Sequence, residues 1–169
     1  GRYGGEELGD PLKLARAHYQ QAYYALNASE HDSAVQYARL AAEAAAPLDD
    51  GGLEGRARTV LGRALTVKGE FALAKDELQK GIVLCRMAGN AAGEGLALAY
   101  LGMMADVTGK VTAARGYFEQ SLNVHVAAGN RHAVAGAQLN LAVSHWRAGE
   151  LDVARDLLEQ SLTTARELG

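Results

Sequence analysis

Histidine and cysteine are the side chains that could hold a metal or supply a nucleophile and its base. The sequence offers five histidines and one cysteine. His18, His31, His125, His132 and His145 show none of the paired spacings of a metal site, and His132 and His145, 13 residues apart, fall on different faces of a helix. His125 and His145 read as packing residues. Cys85 follows Leu78 and Ile82 at helical spacing and reads as a small buried hydrophobe. A catalytic thiol needs an identifiable base, and the sequence signals none. Residues 102–110 carry glycines and a lysine in the manner of a phosphate loop, but the glycine spacing is wrong. Val111 also stands where Ser or Thr would bind magnesium. Asn27-Ala28-Ser29 is a glycosylation sequon without a secretion-signal pattern beside it. The expectation is a chain that is not an enzyme and carries no cofactor and no metal.

Composition narrows the remaining classes. A net charge of −3 argues against a broad nucleic-acid surface, which would be basic. No apolar run approaches the length that spans a bilayer, so no membrane partner is expected. One cysteine gives no internal disulfide framework and fits a reducing, cytoplasmic compartment. Only two prolines, Pro11 and Pro47, interrupt an alanine-rich chain, which favours closely packed helices over sheets.

What must position any functional residue is a repeat. Leu61, Leu101 and Leu141 recur every 40 residues, each followed by Gly69, Gly109 and Gly149. Ala74, Ala114 and Ala154 continue the phase, then Leu78, Phe118 and Leu158, then Gly81, Ser121 and Ser161. A fixed period of this length signals a stacked array, which suggests a binding surface more than a catalyst. Apolar residues at helical spacing between the glycines predict helices over 11–26, 32–45, 53–68, 71–87, 91–107, 111–127, 131–147 and 151–168. Gly62, Gly102 and Ala142 on the first helix of a hairpin, with Ala74, Ala114 and Ala154 on the second, would act as notches for bulky neighbours.

A second phase, Gly9-Asp10, Asp49-Asp50, Gly89-Asn90 and Gly129-Asn130, marks the junctions, where glycine can end one helix and Asn or Asp can cap the next. Pro47 ends the second helix, making 47–52 a looser junction. These signals predict a leader or the end of a preceding repeat over 1–9, with residues 1–5 flexible. An array over 10–169 follows, divided at about 10–48, 49–88, 89–128 and 129–169. Because Gly169 returns to the starting phase, the expectation is a segment of something longer, whose exposed end repeats self-associate weakly.

The series Leu101, Gly102, Ala105, Gly109, Ala114, Phe118 and Ser121, repeated as Leu141, Ala142, His145, Gly149, Ala154, Leu158 and Ser161, resembles the tetratricopeptide repeat. The unit is 40 residues rather than about 34. The longer form is similar to the repeats of kinesin light chains, of G-protein-regulating polarity scaffolds and of bacterial LuxR-type regulators. The closing proline of the family is absent at Arg86, Val126 and Arg166, and Trp146 lies outside its tryptophan position. The resemblance implies an all-α fold: a right-handed superhelix of stacked antiparallel helix-turn-helix repeats, an α-solenoid of about four repeats and eight helices whose first helices line a concave groove.

Carried over by register, the groove positions become Arg16, Tyr19, Tyr23 and Leu26, then Arg56, Thr59, Arg63 and Thr66. They continue as Leu96, Ala99, Met103 and Asp106, and as Gly136, Leu139, Val143 and Trp146. Arginine and aromatic residues carry much of the energy at interfaces, so an acidic peptide or helix segment is the expected partner. Two readings stay open: the arginines could be solvated or paired within the repeat, and Tyr19 and Tyr23 fit inter-helix packing and ligand contact alike. The leading function is a non-catalytic protein-interaction module. The alternative is the ligand-sensing region of a bacterial transcriptional regulator or signalling protein.

Overall fold

A computed structural model describes residues 10–168, and the predicted leader over 1–9 and the terminal Gly169 lie outside them. The described residues form α1 (Pro11–Asn27), α2 (His31–Ala45), α3 (Gly51–Val67), α4 (Phe71–Met87), α5 (Ala91–Val107), α6 (Val111–Ala127), α7 (Arg131–Arg147) and α8 (Leu151–Leu168). No strand occurs among them. The chain divides into two compact units between Asn90 and Ala91. In the first, α1 pairs with α2 and α3 with α4, and α3 also lies against α2 and α1. In the second, α5 pairs with α6 and α7 with α8, while α6 packs on α7.

The hairpin turns follow from local chemistry. Gly69, Gly109 and Gly149 adopt positive φ, as do Gly89 and Gly129 between hairpins. That left-handed residue lets the next N–H reach back to the last helical turn, as in Glu70 N to Leu65 O and Lys110 N to Ala105 O. In the first hairpin turn Ser29, and at the junction after it Asp49, take this backbone conformation at φ 62 and 53 without being glycine. Asp10, Asp50 and Asn130 then cap α1, α3 and α7, their side chains accepting from Leu12, Leu53 and Ala133 backbone N–H groups at 3.1, 3.0 and 3.2 Å.

Four boundaries differ from the sequence reading. The Asp50 cap draws Gly51 and Gly52 into the first turn of α3, which ends one residue early at Val67, α2 begins one residue early at His31, and α1 runs on to Asn27. Pro47 sits in a short 3-10 turn, Ala46–Leu48, directly after α2. There its missing N–H leaves no helical bond unmade.

The core is a set of notches and occupants. A Cβ at Gly62 would strike the Leu78 side chain, and one at Gly102 would strike the Phe118 ring. Gly55 and Gly95 do the same for Cys85 and His125. Leu78 and Cys85 are fully buried in consequence, and Phe118 packs with Ala105, Ala114 and Leu141. At the matching position of the last hairpin stands Ala142, and Leu158 opposite it is 45% exposed.

Candidate partner-binding surfaces

The first unit presents a cation–aromatic surface. Tyr19, half-buried, lies against Ala15, Ala45 and Leu53 and against Ala41, Ala42 and Ala57. The Arg56 guanidinium covers its ring at 5.0 Å from the centroid. Tyr23 stacks on Tyr19 at 6.5 Å and meets Tyr24 edge-on at 6.4 Å. Burial pushes the Tyr19 phenol above its ordinary pKa, with the Arg56 charge opposing. Arg16, Tyr23 and Arg56 are exposed, while Arg63 and Leu26 are half-buried. Tyr19 thus belongs mainly to inter-helix packing and Tyr23 to the open surface.

Two expected groove residues are corrected. Thr59 and Thr66 are buried, and their hydroxyls donate to the carbonyls of Gly55 and Gly62, each at 2.8 Å. Thr59 faces α4, where its Oγ1 occupies the space a Cβ on Gly81 would need. The register carried over from the shorter unit therefore points these two positions inward, and neither offers a face to a partner.

The second unit presents an apolar row. Leu139, Val143 and Trp146 follow one another along α7 at 46%, 36% and 63% exposure, while Ala137, Leu141 and Ser144 on another face of the same helix are buried. Leu96 is exposed on α5 and Met103 half-buried. Asp106 is not a free groove acid, because the Arg147 guanidinium pairs with it. Arg115 and His145 both bond Glu150, at 3.2 and 2.6 Å, which ties α6 and α7 to the last turn. His145 is thereby a polar partner at the hairpin turn as well as a packing residue, and the His145 and Arg115 contacts hold the Glu150 carboxyl below its ordinary pKa.

Between α5 and α7 lies a cleft of about 280 Å³, with α6 as its floor. Ala99 and Gly136 flank it, and a Cβ on Gly136 would meet nothing within 4 Å. Ser121, His125 and Asn140 also line it. Ser121 donates to the Gly95 carbonyl at 2.7 Å. His125 is 6% exposed, its Nδ1 has no hydrogen-bond partner, and burial pushes its pKa below the ordinary value. Sequence reading assigned His125 to packing alone and overlooked Asn140. The signal that could have found the cleft is the loss of bulk at Ala99 and Gly136 relative to Tyr19 and Arg56, 80 residues earlier.

No group of three or more His, Cys, Asp or Glu that could hold a metal ion occurs among the described residues. No helix among them is long and apolar enough to cross a membrane.

These paired helices, with a small-to-large notch in the α3–α4 and α5–α6 hairpins, define an all-α helical-repeat fold. Residues 95–167 match the tetratricopeptide repeat family model. Solved structures share the fold at low identity. A Rap protein complexed with competence and sporulation factor is 17% identical, with a TM-score of 0.87 over 95% of this chain and 45% of that one. Aspartyl phosphate phosphatase F from Bacillus subtilis is 14% identical, with a TM-score of 0.86 over 96% and 43%. BtubC (BKLC) from P. vanneervenii is 16% identical, with a TM-score of 0.77 over 96% and 68%. The chain thus spans less than half the length of the Rap protein and of the phosphatase. Comparison with curated proteins found no match.

Proposed function

We propose that this chain is a non-catalytic interaction module that holds segments of a partner protein on the exposed faces of its first-of-hairpin helices. The observation that carries this reading is the row Leu139, Val143 and Trp146, three large apolar side chains left in solvent on one helix face. A lone exposed apolar residue needs no explanation, but a contiguous row ending in tryptophan has the composition of an interface anchor. In the first unit Arg16, Tyr23 and Arg56 are all exposed, a set that suits an acidic segment with an aromatic or aliphatic side chain. The Rap protein of the same fold, solved in complex with competence and sporulation factor, supports the use of such a scaffold for capturing a partner. That complex also favours a second reading, the ligand-sensing region of a signalling protein or regulator, in which a bound factor alters what the array does next. The single cysteine fits a cytoplasmic setting.

An immobilised peptide array probed with the full chain tests the reading. Peptides pairing acidic with apolar residues should bind. Leu139→Ser with Trp146→Ser should remove the apolar contribution, and Arg56→Glu with Arg63→Glu the acidic one. Binding that survives all four substitutions together would overturn the assignment of these surfaces. Stabilisation by small metabolites alone, with no peptide captured, would favour the sensing reading.

A further inference from the structure

The two units fill the same space in different ways, and the difference names a ligand. Residues 80 apart occupy matching positions in the repeat. In the first unit the space between α1 and α3 is occupied by the Tyr19 ring, capped by Arg56, over a floor of Ala41 and Ala45. In the second unit Ala99 replaces Tyr19 and Gly136 replaces Arg56. The helices do not collapse into the vacated volume, and the cleft of about 280 Å³ remains. That is below the size of pockets for drug-like ligands and suits one side chain.

The walls change in a second respect. Ala41, Ala45 and Val60 of the first unit become Ser121, His125 and Asn140 in the second, so an apolar lining becomes a polar one where the ring would end. His125 lines the cleft, is buried, and leaves Nδ1 without a partner. A buried imidazole nitrogen lacking a hydrogen bond is costly unless an occupant supplies one. Each neutral tautomer offers one donor and one acceptor, and a phenolic hydroxyl can be either.

We infer that the cleft between α5 and α7 is a receptor for a tyrosine side chain of the partner, its ring seated where Tyr19 sits in the first unit and its hydroxyl directed to His125 and Asn140. This deepens the interaction reading by giving the partner segment a required residue, placed beside the exposed row of Leu139, Val143 and Trp146.

The test titrates the full chain with p-cresol, the tyrosine side-chain analogue, and with toluene, the phenylalanine analogue, following methyl and imidazole signals by NMR. p-Cresol should give saturable shifts at the Ala99, Ala133 and Ala137 methyls and at the His125 ring. Toluene should bind about threefold to tenfold more weakly, the ratio set by one lost hydrogen bond. Ala99→Tyr, which supplies the ring from within, should abolish both. Gly136→Leu should do the same from an exposed position, so that folding is not at stake. Shifts that fail to saturate, that centre on Trp146, or that persist in both filled variants overturn the inference, and equal binding of toluene overturns the choice of tyrosine. A chain that seats p-cresol but captures no peptide keeps the cleft and loses the interaction reading. Peptide capture through Trp146, unaffected by Ala99→Tyr and by Gly136→Leu, does the reverse.

Discussion

The same substitution should have opposite effects at two glycines of the second unit. Gly136 lies inside α7, where a Cβ would meet nothing within 4 Å. Gly136→Ala should therefore show only the helix-propensity gain, about 0.5–1 kcal/mol of added stability. Gly102 lies inside α5, where a Cβ would fall 2.5 Å from Cε1 and 2.7 Å from Cδ1 of Phe118. A phenyl ring cannot bend away as the end of a flexible chain can, so ring and helix must separate. Overpacking of this kind costs about 1–3 kcal/mol. Set against the propensity gain of about 1 kcal/mol, Gly102→Ala should be net destabilising by up to about 2 kcal/mol. Urea unfolding followed by helix circular dichroism would measure both variants against the parent, with the slope checked for constancy because repeat arrays can lose cooperativity. A double-mutant cycle with Phe118→Leu should recover part of the loss at Gly102 and none at Gly136. If Gly102→Ala proves as stabilising as Gly136→Ala, the notch is not a close packing contact and the account of the hairpin core fails.

Other perturbations probe the same structure. Leu78→Ala should cost about 2–5 kcal/mol because the side chain is fully buried, whereas Leu158→Ala, at 45% exposure in the matching position, should cost a fraction of that; thermal melts of the pair decide it. His125 has a folded pKa below its ordinary 6.5, so the unfolded chain takes up a proton first. Its contribution to stability is thus complete above pH 6.5 and declines as the pH falls from there through the folded value, and His125→Gln should flatten the urea midpoint across pH 7.5 to 5. Asp50→Ala removes the acceptor for Leu53 N–H and should lower stability by about 1 kcal/mol, with increased amide exchange confined to the first turn of α3.

The hairpins were legible because each turn leaves a chemical mark at a fixed interval. Gly69, Gly109 and Gly149 stand where φ must be positive, and Asp10, Asp50 and Asn130 stand where a helix needs an acceptor. Gly102 and Phe118 could be matched in advance because bulk on one helix requires its absence on the other. The groove was only partly legible. Arg16, Arg56, Leu139, Val143 and Trp146 are exposed, but Thr59 and Thr66 are turned inward. Their positions came from a shorter repeat whose phase does not hold along the whole of α3, and a threonine is chemically at home in either setting. The cleft was illegible for a different reason. Ala99 and Gly136 announce only a lack of bulk, and no residue states whether neighbouring helices will close over the gap or leave it open.

The pairing of notch and occupant also bears on how such a chain can change over evolutionary time. Gly55 with Cys85, Gly62 with Leu78, Gly95 with His125 and Gly102 with Phe118 each have both members inside a single hairpin. A duplication, deletion or exchange that cuts between hairpins carries every such pair intact. One that cuts at the turn within a hairpin separates glycine from its occupant and leaves a collision or a void. Gene segments bounded near Asp49, Asn90 and Asn130 are therefore the ones that can be copied or shuffled without repair, and the occupant of a notch can drift from cysteine to histidine only while its own glycine travels with it.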